Sequence, residues 1–145
     1  MEIRQLGPDD YLVLNEFADS VERGPHFSWD KQSLLEGLKK WEIWAGFENQ
    51  IIAVALAGTA SGDQMELLWI QTRPSLRNQG KARQLMVRWL NSARRNFEQV
   101  FLEVHAGNLA AQSLYESLGF FRLAERKKYY SDGSKAFIFC LNLSK

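Results

Sequence analysis

The chain has 145 residues, 46% of them hydrophobic and 24% charged, with a formal net charge of +1. That is the size and mix of one globular domain, here taken as residues 1–145. No apolar run approaches the roughly 18–20 residues of a membrane span, and Met1-Glu2-Ile3-Arg4 does not open a signal peptide, so no membrane partner is expected. The single cysteine, Cys140, excludes an internal disulfide, and with two distant histidines, His26 and His105, it argues against a protein-built zinc site. A reducing, cytoplasmic setting is expected.

Met1–Leu6 reads as a short strand, and Pro8-Asp9-Asp10 opens a helix with Leu14, Phe17, Ala18 and Val21 on one face. Gly24-Pro25 breaks it, and Asp30 caps a second helix over Asp30–Lys40. Trp41–Phe47 and Ile51–Ala57 read as strands around Glu48-Asn49-Gln50; a polar turn, Thr59–Gln64, then leads to a fourth strand, Met65–Thr72. Gly58 and Gly62 are read as signals of that turn. Gln79–Asn96 is an amphipathic helix with Leu85, Met86, Trp89, Leu90 and Ala93 inward, and Val100–His105 is a strand. Asn108 caps a helix that Gly119 ends, and Phe120–Tyr130 and Lys135–Leu143 form a final pair of strands. The order predicts an α/β (α+β) domain: a mixed, mostly antiparallel sheet of six or seven strands with about four helices on both faces.

Charge is unevenly spread. Residues 1–66 carry 5 Lys/Arg and 12 Asp/Glu, whereas residues 67–145 carry 13 and 5, and Arg73–Arg95 holds seven basic residues and no acid. Such a patch suits phosphate, whether of nucleic acid or of a phosphorylated cofactor, or is a solvated helix face. Arg77, Asn78, Gln79, Gly80, Lys81, Ala82 and Arg83 stand where a strand gives way to a helix. Free N–H groups and the positive dipole end of the helix meet small residues there, which makes a pyrophosphate site by physical argument. No G-x-x-x-x-G-K-[ST] or G-x-G-x-x-G is present.

Arg77-x-x-Gly80-x-Ala82 matches the Q/R-x-x-G-x-G/A signature of the GNAT acetyltransferase superfamily. Asn108-x-x-Ala111-x-x-Leu114-Tyr115-Glu116-x-x-Gly119-Phe120 resembles that family's second cofactor segment. Leu102-Glu103-Val104, Leu114–Phe120, Arg126-x-x-Tyr129-Tyr130 and His26-Phe27-Ser28-Trp29 resemble the bacterial ribosomal-protein-alanine N-acetyltransferases. The resemblance implies a GNAT fold with a V-shaped opening between strands four and five. It also implies acetyl-CoA paired to strand four near Ile70 and Thr72, with its pyrophosphate on Gln79–Arg83. Asn108 would assist at the cofactor. The acceptor would be the α-amine of an N-terminal alanine on a ribosomal protein, lined by Trp29, Tyr129 and Tyr130. No nucleic-acid partner is then expected, and the chain is expected to be a monomer or weak homodimer. The chain departs from the pattern at Ser28, at Gly107 and at Lys135, which stands near the expected acceptor mouth where an acidic pair is usual.

Acetyl transfer to an amine needs a proton acceptor and a proton donor. Glu103 alternates with Leu102 and Val104, so it is either a solvated strand carboxylate or the base. Tyr115, on an apolar helix face, is either a core aromatic or the acid that protonates the leaving thiolate. The resemblance implies the catalytic role for both. His105 is read as a loop-edge histidine, with a second base as the alternative, and Cys140 as a core thiol. A lysine or small polyamine acceptor, and a non-catalytic acyl-CoA-binding module, are the competing readings.

Overall fold

The computed structural model describes residues 1–21, 29–127 and 132–143. In chain order its elements are β1 (Glu2–Gln5), α1 (Tyr11–Ser20), α2 (Lys31–Lys40), β2 (Glu42–Glu48), β3 (Ile51–Ser61), β4 (Gln64–Thr72), α3 (Lys81–Ala93), β5 (Gln99–His105), α4 (Leu109–Ser117), β6 (Phe121–Arg126) and β7 (Ala136–Asn142). The strands form one seven-stranded sheet in the order β1-β2-β3-β4-β5-β7-β6. The mixed α/β class expected from the sequence is therefore present. β1–β2, β2–β3, β5–β7 and β6–β7 pair antiparallel, and β4–β5 pair parallel. The parallel ladder runs from Gln64↔Gln99 to Leu67↔Leu102, while β4 itself continues to Thr72 and β5 to His105.

Several boundaries differ from the sequence reading, each for a local reason. Pro8–Asp10 is a 3-10 turn that precedes α1. The Asp10 carboxylate accepts from the Gly7 N–H at 2.8 Å and from both terminal nitrogens of Arg4 at 2.9 and 3.0 Å, which holds that turn. β3 does not stop at Ala57 but passes through Gly58, paired with Glu42, as far as Ser61. Only Gly62, at φ +61°, turns the chain. The polar residues Thr59–Ser61 mark the outer end of a strand, not a loop. α3 begins at Lys81, not Gln79, because Gly80 at φ +76° cannot be a helical residue. The Gly24-Pro25 break and the segment Lys128–Ser131 lie outside the described residues.

Two compact units make up the chain, Met1–Thr59 with Leu68–Asn91 and Ala60–Leu67 with Ser92–Lys145. In the first, Leu14 and Phe17 of α1, Leu34 of α2 and Ile43, Ala45, Ile52, Ala55, Ala57 and Trp69 of the strands share one apolar cluster. Burying each large side chain there is worth about 1.5–3 kcal/mol. The Asp30 cap is real: its carboxylate accepts from the Ser33 N–H at 2.7 Å. Glu42 Oε1 accepts from the indoles of Trp44 at 2.7 Å and Trp89 at 3.1 Å, tying α3 to β2. In the second unit Val100, Leu102 and Val104 of β5 are buried, and Tyr115 packs against Phe120 and Phe139 with ring centroids 5.8 and 6.3 Å apart. Asn108 caps α4 by accepting from the Ala111 N–H at 3.2 Å, and Gly119 at φ +98° follows its end. Cys140 is buried among these strands, as the sequence suggested. No helix among the described residues is long and apolar enough to cross a membrane.

Candidate active site

In the first unit the chain between β4 and α3 turns through two positive φ angles before the helix begins. Arg77 is extended, Asn78 takes φ +62° and Gly80 φ +76°. Successive residues that alternate hand turn their N–H groups toward one side, the geometry of a backbone nest. The first helical bond runs from the Gln84 N–H to the Gly80 carbonyl at 3.1 Å. The N–H groups of Lys81, Ala82 and Arg83 therefore precede the ladder, at the positive end of a thirteen-residue helix. A Cβ on Gly80 would meet nothing within 4 Å, so glycine is required there by its dihedral and not by crowding.

The basic patch is not uniform. Arg73 is buried: its Nε donates to the Ile52 carbonyl at 2.9 Å and its terminal nitrogens to Glu16 at 2.9 and 2.5 Å. Its guanidinium serves the fold, and the reading of Arg73 as part of a phosphate collar is corrected. Lys81 is largely covered and stands 3.5 Å from Glu48. Arg77, Asn78, Gln79, Gly80 and Arg83 are exposed and Ala82 half-exposed. Ile70 and Thr72 lie half-buried on β4, beyond the last residue that pairs with β5.

In the second unit β5 alternates as expected, with Val100, Leu102 and Val104 buried and Glu103 on the other face. Glu103 Oε1 accepts from Arg126 Nη1 at 2.5 Å. Glu66 sits opposite Phe101 in the parallel ladder and so lies diagonal to Glu103 on the same face. Burial first, and the charge of Glu103 second, push the Glu66 carboxyl above the usual carboxylate range. Neither Arg126 as a partner nor Glu66 was found by sequence reasoning, because only the cross-strand register reveals them. Tyr115 lies across the sheet from this cluster: it packs on Phe139, which pairs with Leu102. Burial raises its phenol well above the usual tyrosine range, so it stays protonated.

His105 Nδ1 accepts from the Gly107 N–H at 2.8 Å, and its Nε2 is 2.7 Å from Ser134 Oγ. The first bond leaves the proton of a neutral ring on Nε2, where it is donated to Ser134. The Ser134 hydroxyl in turn donates to Asp132. In this arrangement the His105 ring links Gly107, which follows β5, to Ser134, which precedes β7. Trp29 stacks edge-on against Trp41 with centroids 5.0 Å apart, at the border of the first unit's core. Tyr129, Tyr130 and the segment His26–Ser28 lie outside the described residues. Among the described residues no group of three or more His, Cys, Asp or Glu is arranged to hold a metal.

The model of the acetyltransferase (GNAT) family matches residues 11–120. The chain belongs to the GNAT acetyltransferase family. The [ribosomal protein bS18]-alanine N-acetyltransferase of Haemophilus ducreyi is 33% identical over 121 residues, 79% of this chain and 83% of that protein. The solved ribosomal-protein-S18-alanine N-acetyltransferase of Escherichia coli superposes with a TM-score of 0.86 at 26% identity, covering 99% of this chain and 94% of that one. A Salmonella typhimurium protein solved with its cofactor acetyl-CoA shares the fold, with a TM-score of 0.78 at 18% identity over 100% of this chain and 95% of that one. As a GNAT acetyltransferase, this chain carries the family's Arg77-x-x-Gly80-x-Ala82 signature on the cradle just described.

Proposed function

We propose that this acetyltransferase uses acetyl-CoA to acetylate the α-amine of an N-terminal alanine on a ribosomal protein. The observation that carries the acceptor is the 33% identity, across 79% of the chain, to a relative named for that reaction. The cradle fits the pyrophosphate of the cofactor: the N–H groups of Gln79–Arg83 and the Arg77 side chain would hold it. Asn108 is assigned to the cofactor through its amide nitrogen, since its oxygen caps α4. Ile70 and Thr72 supply strand edge for the pantetheine arm. Acetyl-CoA when bound supplies an acetyl group activated as a thioester.

The chain's own residues would manage the protons. Glu103 accepts the proton that the amine loses as its nitrogen bonds to the carbonyl carbon. Tyr115 donates a proton to sulfur as the carbon–sulfur bond breaks. An α-amine has a reference pKa of about 8 against about 10.4 for lysine, so a single carboxylate is a sufficient base. Glu103 and Tyr115 lie on opposite faces of β5 and its neighbours, so each role is assigned separately and is tested by its own variant. Trp29, Tyr129 and Tyr130 are assigned to the acceptor. A ribosomal acceptor assigns the reaction to the cytoplasm.

The test is intact-mass detection of acetylation on peptides that start with Ala, Ser, Thr or Met, alongside lysine peptides with blocked N-termini. Product on Ala-starting peptides and none on blocked ones is expected. Acetylation of the blocked peptides alone would replace this reading with the lysine alternative.

A further inference from the structure

We propose that Glu48 is a positioning residue for acetyl-CoA binding: by holding the Lys81 ammonium it fixes the entry of α3, and with it the backbone N–H groups that face the pyrophosphate. The inference rests on the reading of Gln79–Arg83 as the pyrophosphate site.

Lys81 is the first residue of α3 and follows Gly80 directly. Its side chain is only 13% exposed, and its Nζ stands 3.5 Å from Glu48 Oε1. Covering an ammonium is costly unless a countercharge accompanies it, and Glu48 supplies that countercharge. Glu48 is itself held by its hairpin. It ends β2 and pairs with Ile51, the first residue of β3, across Asn49 at φ +50° and Gln50 at φ +69°. Two left-handed residues in succession make the tight turn whose twist matches the strands it joins. The Met1 amine stands 3.4 Å from the same Glu48 oxygen, so the carboxylate faces two cations.

Two uses of the Lys81 charge predict opposite signs. An ammonium that met the phosphates would bind them better once released from Glu48. An ammonium that anchors the start of the helix would, once released, leave the adjoining N–H groups misplaced. The geometry favours the anchor. The Lys81 side chain is covered and paired, whereas Arg77 and Arg83, on either side of it in the loop, are exposed. Lys81 thus contributes its N–H to the cradle, and its charge goes to the end of the β2–β3 hairpin.

The experiment measures the KM and the calorimetric Kd for acetyl-CoA in Glu48→Gln, Glu48→Asp, Lys81→Met and the double variant Glu48→Gln/Lys81→Met, each below its own Tm. Glu48→Gln and Lys81→Met are each expected to raise both constants about three- to tenfold. Glu48→Asp, which keeps the charge but shortens its reach, is expected to fall between wild type and Glu48→Gln. The kcat of Glu48→Gln at saturating acetyl-CoA is expected to stay near wild type. The double variant is expected to be no worse than Lys81→Met, since the two residues act as a unit. Tighter or unchanged binding in Glu48→Gln, or additive losses in the double variant, overturns the positioning role. If Arg77→Met still raises the KM in that case, the pyrophosphate reading stands. An unchanged KM in both Glu48→Gln and Arg77→Met overturns both.

Discussion

Arg126 reaches across the intervening strand β7 to place Nη1 2.5 Å from Glu103 Oε1. The contact holds one carboxylate oxygen and fixes the rotamer of the residue we assign as the base. Glu103→Gln keeps an acceptor for Arg126 but abolishes basicity, so kcat is expected to fall about 10²- to 10⁴-fold while acetyl-CoA binding persists. Arg126→Met is expected to lower kcat about 10- to 100-fold through misplacement of the carboxylate, with Arg126→Lys restoring part of it. If Arg126 acts only through Glu103, adding Arg126→Met to Glu103→Gln has no further effect, since residues acting as a unit are not additive. Additive losses in steady-state kinetics would show that Arg126 has a separate role.

Tyr115 is almost fully buried against Phe120 and Phe139, and burial raises its pKa by disfavouring phenolate. Its folded value lies above the unfolded value of about 10, so the resulting stability is complete below about pH 10 and is lost as the unfolded chain ionises above it. Urea unfolding is therefore expected to show wild type losing more stability than Tyr115→Phe between about pH 8 and about pH 11. The same variant keeps the ring packing but is expected to lower kcat about 10²-fold or more at neutral pH. Wild-type turnover in Tyr115→Phe would reduce this residue to a core aromatic.

What the sequence revealed was local. The Asp30 and Asn108 caps, the inward face of α3 and the alternation around Glu103 all depend on near neighbours, and each appears in the fold. What it concealed was distant in sequence. Arg73 looked like one more member of a basic patch, yet its partner Glu16 lies 57 residues earlier. Lys81 likewise finds Glu48, and Glu103 finds Glu66 and Arg126 only through pairing on both sides of β5. Polarity also misled at Thr59–Ser61, where exposure at a strand's outer end imitates a turn.

The cradle gives a third prediction. Gly80 needs φ +76°, and Asn78, at φ +62°, shares the left-handed region. Gly80→Ala forces a Cβ into a conformation that costs about 1–2 kcal/mol, although nothing crowds it. The loop is expected to relax away from the nest, raising the KM for acetyl-CoA about tenfold with little change in kcat at saturation. Asn78→Gly removes a side chain while permitting the same backbone, so its KM is expected to stay near wild type. Calorimetry on both variants separates altered binding from lost stability. An unchanged KM in Gly80→Ala would remove the nest from cofactor binding.

Arg73 provides the contrasting case. Its guanidinium satisfies the buried Ile52 carbonyl and neutralises Glu16, and it stands 5.8 Å over the Phe17 ring. Arg73→Met leaves that carbonyl and that carboxylate without the charged donor, which is expected to cost about 2–3 kcal/mol, or a fall in Tm of about 4–10 °C. Arg77→Met, at an exposed cradle position, is expected to do the reverse: a higher KM for acetyl-CoA with Tm nearly unchanged. Measuring both quantities for both variants therefore divides the basic residues by task. Arg73→Met with an intact Tm and a raised KM would return Arg73 to the phosphate collar. The expected pattern instead makes one arginine of the patch a strut between β3, β4 and α1, and leaves Arg77 and its neighbours to meet the phosphates.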